Sequence, residues 1–107
     1  MLKVNVLKEE EYFVINLSGC LDYFTVGILK ESLEELGNLD NSKLFFSFKN
    51  LTFMDSSGVG GFLNIVRNNP SCKVEFINLD KGIENIFELV GFFQIQNTIQ
   101  NKHYISA

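Results

Sequence analysis

The chain has 107 residues, 46% of them hydrophobic, and carries a net charge of −4 at neutral pH. That length supports a single domain, residues 1–107, with a core of its own, and eleven phenylalanines argue for a packed globule over a disordered segment. The nine basic residues are scattered from Lys3 to Lys102, so no basic stripe exists to neutralise phosphates, and nucleic acid is not an expected partner.

Leu2, Val4 and Val6 alternate with Lys3 and Asn5. After the charged turn Lys8 to Glu11, Phe13, Ile15 and Leu17 alternate with Tyr12, Val14 and Asn16, which predicts a β-hairpin. From about Phe24 to Leu36 the period becomes helical, with Val26, Leu29, Leu33 and Leu36 as the buried stripe and Gly37 as a stop signal. Phe24 and Ile28 lie off that stripe, either as an exposed apolar pair or as core if the helix is sandwiched. Lys43 to Phe48 reads as a third strand. A second helix should run from about Ser57 to Asn68 on Val59, Phe62, Leu63 and Val66, closed by Pro70.

Cys72, Val74 and Phe76 alternate with Lys73 and Glu75, a fourth strand with one polar face. Asp80 is placed as an N-cap, Ile83, Ile86, Phe87 and Val90 form a third helical stripe, and Gly91 is placed as a C-terminal cap. Phe93 to Gln96 is expected as a short edge strand and Asn97 to Tyr104 as a last helical turn or two. Strands that pair early and then alternate with helices predict an α/β fold: a mixed sheet of four to five strands with its helices packed on one face.

Cys20 and Cys72 match neither a metal knuckle nor a redox pair, which fits a reducing, cytoplasmic setting. The N-terminus alternates instead of running apolar, so no signal peptide is expected. No apolar run approaches the ~20 residues needed to span a bilayer, so no direct membrane contact is expected either. No metal or cofactor motif is present.

The stretch Asn50 to Leu63, NLTFMDSSGVGGFL, raises the functional question. Asp55, Ser56 and Ser57 ahead of an apolar helical stripe have the pattern of an N-cap. A cap does not require Gly60 and Gly61, each of which costs about 1 kcal/mol relative to alanine inside a helix. At 100° per residue, Ser57, Gly60, Gly61, Asn64 and Asn68 fall opposite the apolar stripe, giving a small, nearly uncharged face that another backbone can approach closely. Ile65, flanking this face near Gly58 and Gly61, is either an apolar anchor for a partner or a contact with a neighbouring helix.

A nucleophilic Ser56 would need a base, and the one histidine is His103, in the C-terminal tail. The G-x-S-x-G order of a nucleophile elbow is missing, so an enzyme is not expected. A serine at a helix N-terminus is a good place for a phosphate, because the amides and dipole there stabilise the added charge. Placed beside Asp55, that charge would repel an acidic partner and bury badly against an apolar one.

The run Phe53-Met54-Asp55-Ser56-Ser57-Gly58-Val59-Gly60 resembles the signature of STAS domains, specifically the bacterial anti-sigma factor antagonists. Upstream, Gly19-Cys20-Leu21-Asp22-Tyr23-Phe24-Thr25 is similar to their G-x-L-D-x-x-T element, and Ile83 to Gly91 to their third helix. The resemblance implies a STAS-like fold and a phosphorylation switch with Ser56 as acceptor. The implied partners are an anti-sigma factor that is also a serine kinase, bound by the unphosphorylated form so that a sigma factor is released, and a PP2C-type serine phosphatase that resets the switch. Asp22 and Asp55 would lie near the kinase contact, with helix capping as their competing role. The chain departs from the family pattern at Ser47, where Asp or Asn is frequent, and in the extra Gly61. STAS domains also serve as constitutive scaffolds, in signalling assemblies and as subunits of membrane transport systems, which is the alternative reading.

Overall fold

A computed structural model of the protein describes residues 1–89, 91, 101 and 102. Two strands open the chain, β1 (Lys3–Lys8) and β2 (Tyr12–Leu21), followed by α1 (Val26–Glu34), β3 (Lys43–Met54), α2 (Ser56–Asn68), β4 (Lys73–Ile77), α3 (Lys81–Leu89) and β5 (Asn101–Lys102). The five strands form one sheet in chain order. β1 pairs antiparallel with β2, as a hairpin must, and β2 with β3, β3 with β4 and β4 with β5 are parallel, each linked by a helical crossover.

The core is the face of the sheet that the helices cover. Ile15, Leu17, Leu44, Phe46, Phe48 and Phe76 point into it and are buried, and they meet Leu29 and Leu33 of α1, Val59, Phe62 and Ile65 of α2, and Ile83 and Phe87 of α3. Phe62 is the centre of this packing: its ring centroid lies 5.1 Å from Phe46, 5.5 Å from Phe48, 5.1 Å from Phe76 and 5.8 Å from Phe87. Edge-on and tilted contacts of this kind are favourable beyond the area they bury.

Several expectations need correction. β3 does not end at Phe48 but continues to Met54, paired with β2 as far as Leu21, and two register shifts along that pairing change which residues face the core. Beyond Phe48 the buried positions are Leu51 and Met54, a spacing that strict alternation misses. α1 begins at Val26, and the predicted Phe24–Ile28 pair is split: Phe24 is 87% exposed, whereas Ile28 packs against the core. On β4 the polar face is not a solvent face at Glu75, which is buried and ion-paired with Lys43 at 3.4 Å. Cys72 precedes β4, and its thiol donates to the Leu39 carbonyl at 2.9 Å.

Asn101 and Lys102, expected in a helical turn, form a strand beside Glu75 and Phe76. Such pairing occupies backbone groups that β4 would otherwise present as an open edge. The expected strand at Phe93 to Gln96 and the position of His103 lie outside the described residues. The caps agree with expectation: the Asp80 carboxylate accepts from the Ile83 N–H at 2.8 Å, and Gly91, at φ 69°, donates its N–H to the Glu88 carbonyl at 2.9 Å.

Candidate docking and modification site

The candidate residues gather at the C-terminal ends of β2 and β3. Leu21 and Met54 are paired neighbours there, and the Asp55 N–H donates to the Leu21 carbonyl at 3.2 Å. The two chains therefore leave the sheet side by side, one into α1 and the other into α2. This brings the Asp22 and Asp55 turns together, although 33 residues separate them in sequence.

Each turn is held by its aspartate. One Asp22 carboxylate oxygen accepts from the N–H of Phe24 at 2.9 Å and of Thr25 at 3.1 Å. The Thr25 hydroxyl accepts from the Asp22 N–H at 2.9 Å and lies 2.8 Å from the Cys20 carbonyl. A short side chain that satisfies successive backbone donors fixes an Asx turn. Asp55 is the N-cap of α2, with extended backbone, and its carboxylate accepts from the Ser57 N–H at 2.9 Å.

Ser56 is the first residue of α2 and is exposed. Among the described residues, no hydrogen bond engages its hydroxyl. Ser57 is half-buried and its N–H is committed to Asp55. Ser56 thus presents its hydroxyl to solvent at the positive end of a 13-residue helix.

The structure divides the remaining site candidates. Asn64 is exposed and Gly60 is half-buried, with open space where a Cβ would stand. Gly58 is buried: a Cβ there would lie 2.6 Å from Met54 Cγ and 3.0 Å from Leu21 Cγ, so this glycine lets α2 sit down on the sheet. Gly61 faces Val26, which makes it a helix-packing residue. Ile65 is 7% exposed and belongs to the core, so the anchor reading of Ile65 is replaced by the packing one. The buried stripe of α2 is Gly58, Val59, Phe62 and Ile65, with Leu63 and Val66 only partly buried, and so is rotated from the one the wheel suggested.

Between α1 and α2 runs an open groove of about 780 Å³, bordered by Val26, Gly27, Lys30, Gly60, Gly61 and Asn64 among others. Sequence reasoning did not single out Tyr23 as a site residue. It is 73% exposed and stacks edge-on against Phe24, with centroids 5.4 Å apart. The signal was two aromatics in the Asx turn ahead of the helical stripe. Among the described residues no group of three or more His, Cys, Asp or Glu could hold a metal ion, and no helix is long and apolar enough to cross a membrane.

A mixed sheet with three helices on one face and paired Asp turns at the strand ends defines a small α/β domain whose distinctive surface is a helix N-terminus. The chain belongs to the STAS domain family, whose pattern matches residues 3–104. It is distantly homologous to anti-sigma factor antagonists. The anti-sigma-B factor antagonist of Bacillus subtilis (strain 168) is 26% identical over 98 residues, covering 88% of this chain and 87% of that protein. The anti-sigma-B factor antagonist of Staphylococcus aureus (strain NCTC 8325 / PS 47) is 23% identical over 92 residues, covering 84% and 85%. An anti-sigma factor antagonist from Mycobacterium paratuberculosis shares the fold, with a TM-score of 0.79 and 14% identity over 95% of this chain and 86% of that one. The fold is one whose members typically act by binding and not by catalysis.

Proposed function

We propose that this protein is an anti-sigma factor antagonist: a binding module that, unphosphorylated, engages an anti-sigma factor with serine kinase activity and so releases a sigma factor. Phosphorylation of Ser56 ends the association, and a PP2C-type serine phosphatase restores it. The observation that carries this reading is the exposed Ser56 hydroxyl at the first position of α2, next to a cap already supplied by Asp55. Because the cap does not depend on Ser56, a phosphate there adds about −1.5 to −2 charge without removing a structural bond. The helix N-terminus stabilises that charge in the free protein. In a complex, the dianion would have to lose water against a close-fitting surface over Ser56, Ser57, Gly60 and Asn64, which is costly unless the partner supplies matched groups.

The test is the phosphorylation state of the protein recovered from its own cells, by intact mass and phosphopeptide mapping of residues 54–67, in growth and under stress. Phosphate on Ser56 that changes with condition supports the switch. A peptide unmodified in every condition removes it.

A second reading has its own support. Asp55 as cap, Gly58 against Met54 and Gly61 against Val26 give much of the motif structural duties that need no modification. A constitutive scaffold, or a subunit of a signalling assembly or transport system, would use the same turn for contact geometry alone. Full function in a Ser56→Ala strain favours that reading, because the switch predicts a protein that cannot be turned off.

A further inference from the structure

Among the described residues, the aromatic pair Tyr23 and Phe24 stands outside the core. The core gathers 21 buried apolar side chains among the described residues, yet these two adjacent rings stand 73% and 87% exposed. Isolated exposed apolar residues are ordinary on a protein surface. This pair differs in three respects. The rings meet edge-on, with centroids 5.4 Å apart. The backbone beneath them is pinned by the Asp22 carboxylate through Phe24 N–H and Thr25 N–H, and by the Thr25 hydroxyl to the Cys20 carbonyl. The turn also lies against the Asp55–Ser56 turn, through the 3.2 Å bond from Asp55 N–H to the Leu21 carbonyl. An aromatic pair already ordered in the free protein loses little freedom on binding, the condition under which such residues contribute most to an interface.

The charges around the pair say what it meets. In residues 20–29 and 50–60, which build this end of the sheet and the first turns of α1 and α2, the charged side chains are Asp22 and Asp55, and Lys30 and Arg67 follow further along the α1–α2 groove. We propose that Tyr23 and Phe24 are the apolar anchor of this protein's partner contact, seated in a pocket of the partner that is rimmed by arginine or lysine. Guanidinium groups stack on aromatic faces and pair with carboxylates, so a cationic rim matches both features of the surface. A second copy of this chain fits poorly, since a two-fold contact through the pair brings Asp22 and Asp55 towards their own equivalents. The rim attracts the charge of a phosphate on Ser56, so the phosphate opposes the contact by its size: at the first position of α2 it holds the small face of that helix off the partner.

This inference rests on the switch reading, because the partner is taken to be the kinase that modifies Ser56. The kinase is isolated from the protein's own cells by its transfer of phosphate from ATP to Ser56. Binding of the unmodified protein is then measured with ADP present, so that no transfer occurs. Tyr23→Ser/Phe24→Ser should weaken binding about 30-fold or more, mainly through faster dissociation, with Tm unchanged. Leu7→Ser, an exposed apolar control at the hairpin end, should bind as wild type. Wild-type affinity should fall as salt rises. Wild-type binding by the double variant overturns the anchor and leaves the switch standing. Affinity indifferent to salt overturns the cationic rim. Extracts with no kinase acting on Ser56 remove the switch and this inference with it.

Discussion

Gly61 faces Val26 across the α1–α2 contact so closely that a Cβ on Gly61 would stand 2.6 Å from Val26 Cγ2. One residue earlier, Gly60 has nothing within 4 Å of where its Cβ would be. Adjacent glycines in one helix therefore have different reasons to be there, and alanine separates them. At Gly60 the helix gains propensity without a clash, so Gly60→Ala should raise stability by about 0.5–1 kcal/mol. At Gly61 the added methyl meets a β-branched side chain that cannot easily rotate away, so Gly61→Ala should lower stability by about 1 kcal/mol. Urea denaturation of the two variants gives the signs directly. If Gly60→Ala is more stable yet captures the partner less well, the small face is there for docking.

The Asp55 cap gives a second prediction. Asp55→Ala removes the acceptor for the Ser57 N–H and should cost about 0.5–2 kcal/mol. Asp55→Asn keeps an acceptor and should stay within about 0.5 kcal/mol of the parent. Thermal melts compare the two. The pair also separates capping from partner contact, since Asn preserves the turn while removing the charge.

How far the sequence carried the fold can be traced to particular residues. The hairpin, the three helices and the Asp80 and Gly91 caps were legible because period and capping chemistry are local. The far half of β3 was not, because the register shifts opposite Asn16 to Cys20 alter which side chains turn inward, and a bulge leaves no mark in an alternation count. Glu75 falls on the polar face of the β4 alternation, a face that strands commonly turn to solvent, whereas here the carboxylate is buried beside Lys43. At the site, the Asp55 cap is legible from the order of residues, whereas the choice of Ser56 over Ser57 rests on the family resemblance. A helical wheel gives angles but not what stands opposite: Gly58 packs against Leu21 and Met54 and Gly61 against Val26, while Ile65 takes the packing role, one of its two expected ones. Phe24 stands exposed while Ile28 packs inward, because Phe24 lies in the turn before α1, where helical phase does not apply.

Phe62 should be the most sensitive single position in the core. It is fully buried and in ring contact with Phe46, Phe48, Phe76 and Phe87, which belong to two strands and another helix. Phe62→Ala should cost about 3–5 kcal/mol, and Phe62→Leu distinctly less, because leucine leaves a smaller void. Chemical denaturation of both reports the difference. Equal losses would mean the cluster relaxes around the gap.

Cys72 supplies a pH prediction. Burial pushes its thiol above the ordinary cysteine range, with the negative charge of Asp40 adding to the effect and a hydrogen bond from the Ser42 backbone opposing it. The folded protein therefore holds this proton more tightly than the unfolded chain. The associated stability is fully present below the unfolded value of about 8.5 and is lost as pH rises through the higher folded value. In a Cys20→Ser background, iodoacetamide should modify folded Cys72 slowly at pH 8, accelerating only in more alkaline buffer, and urea should abolish the protection.

The final prediction concerns whether modification acts on the surface or on the fold. Ser56 is the first residue of α2, and its hydroxyl is not part of the cap, so a negative charge there should be tolerated or slightly favourable. Charges at helix N-termini contribute about 0.3–1 kcal/mol in the stabilising direction when exposed. Ser56→Asp should accordingly melt at or above the parent temperature while failing to capture the kinase. A loss of capture accompanied by a lower Tm would instead mean that the substitution damages the turn, and the protein enzymatically phosphorylated on Ser56 would then decide the matter. A dianion is larger and more heavily hydrated than a carboxylate. If phosphorylated protein also melts at or above the parent temperature and does not bind, the charge acts on association alone. If it melts lower, the switch works by loosening the start of α2, and the Asp55 cap becomes part of the mechanism.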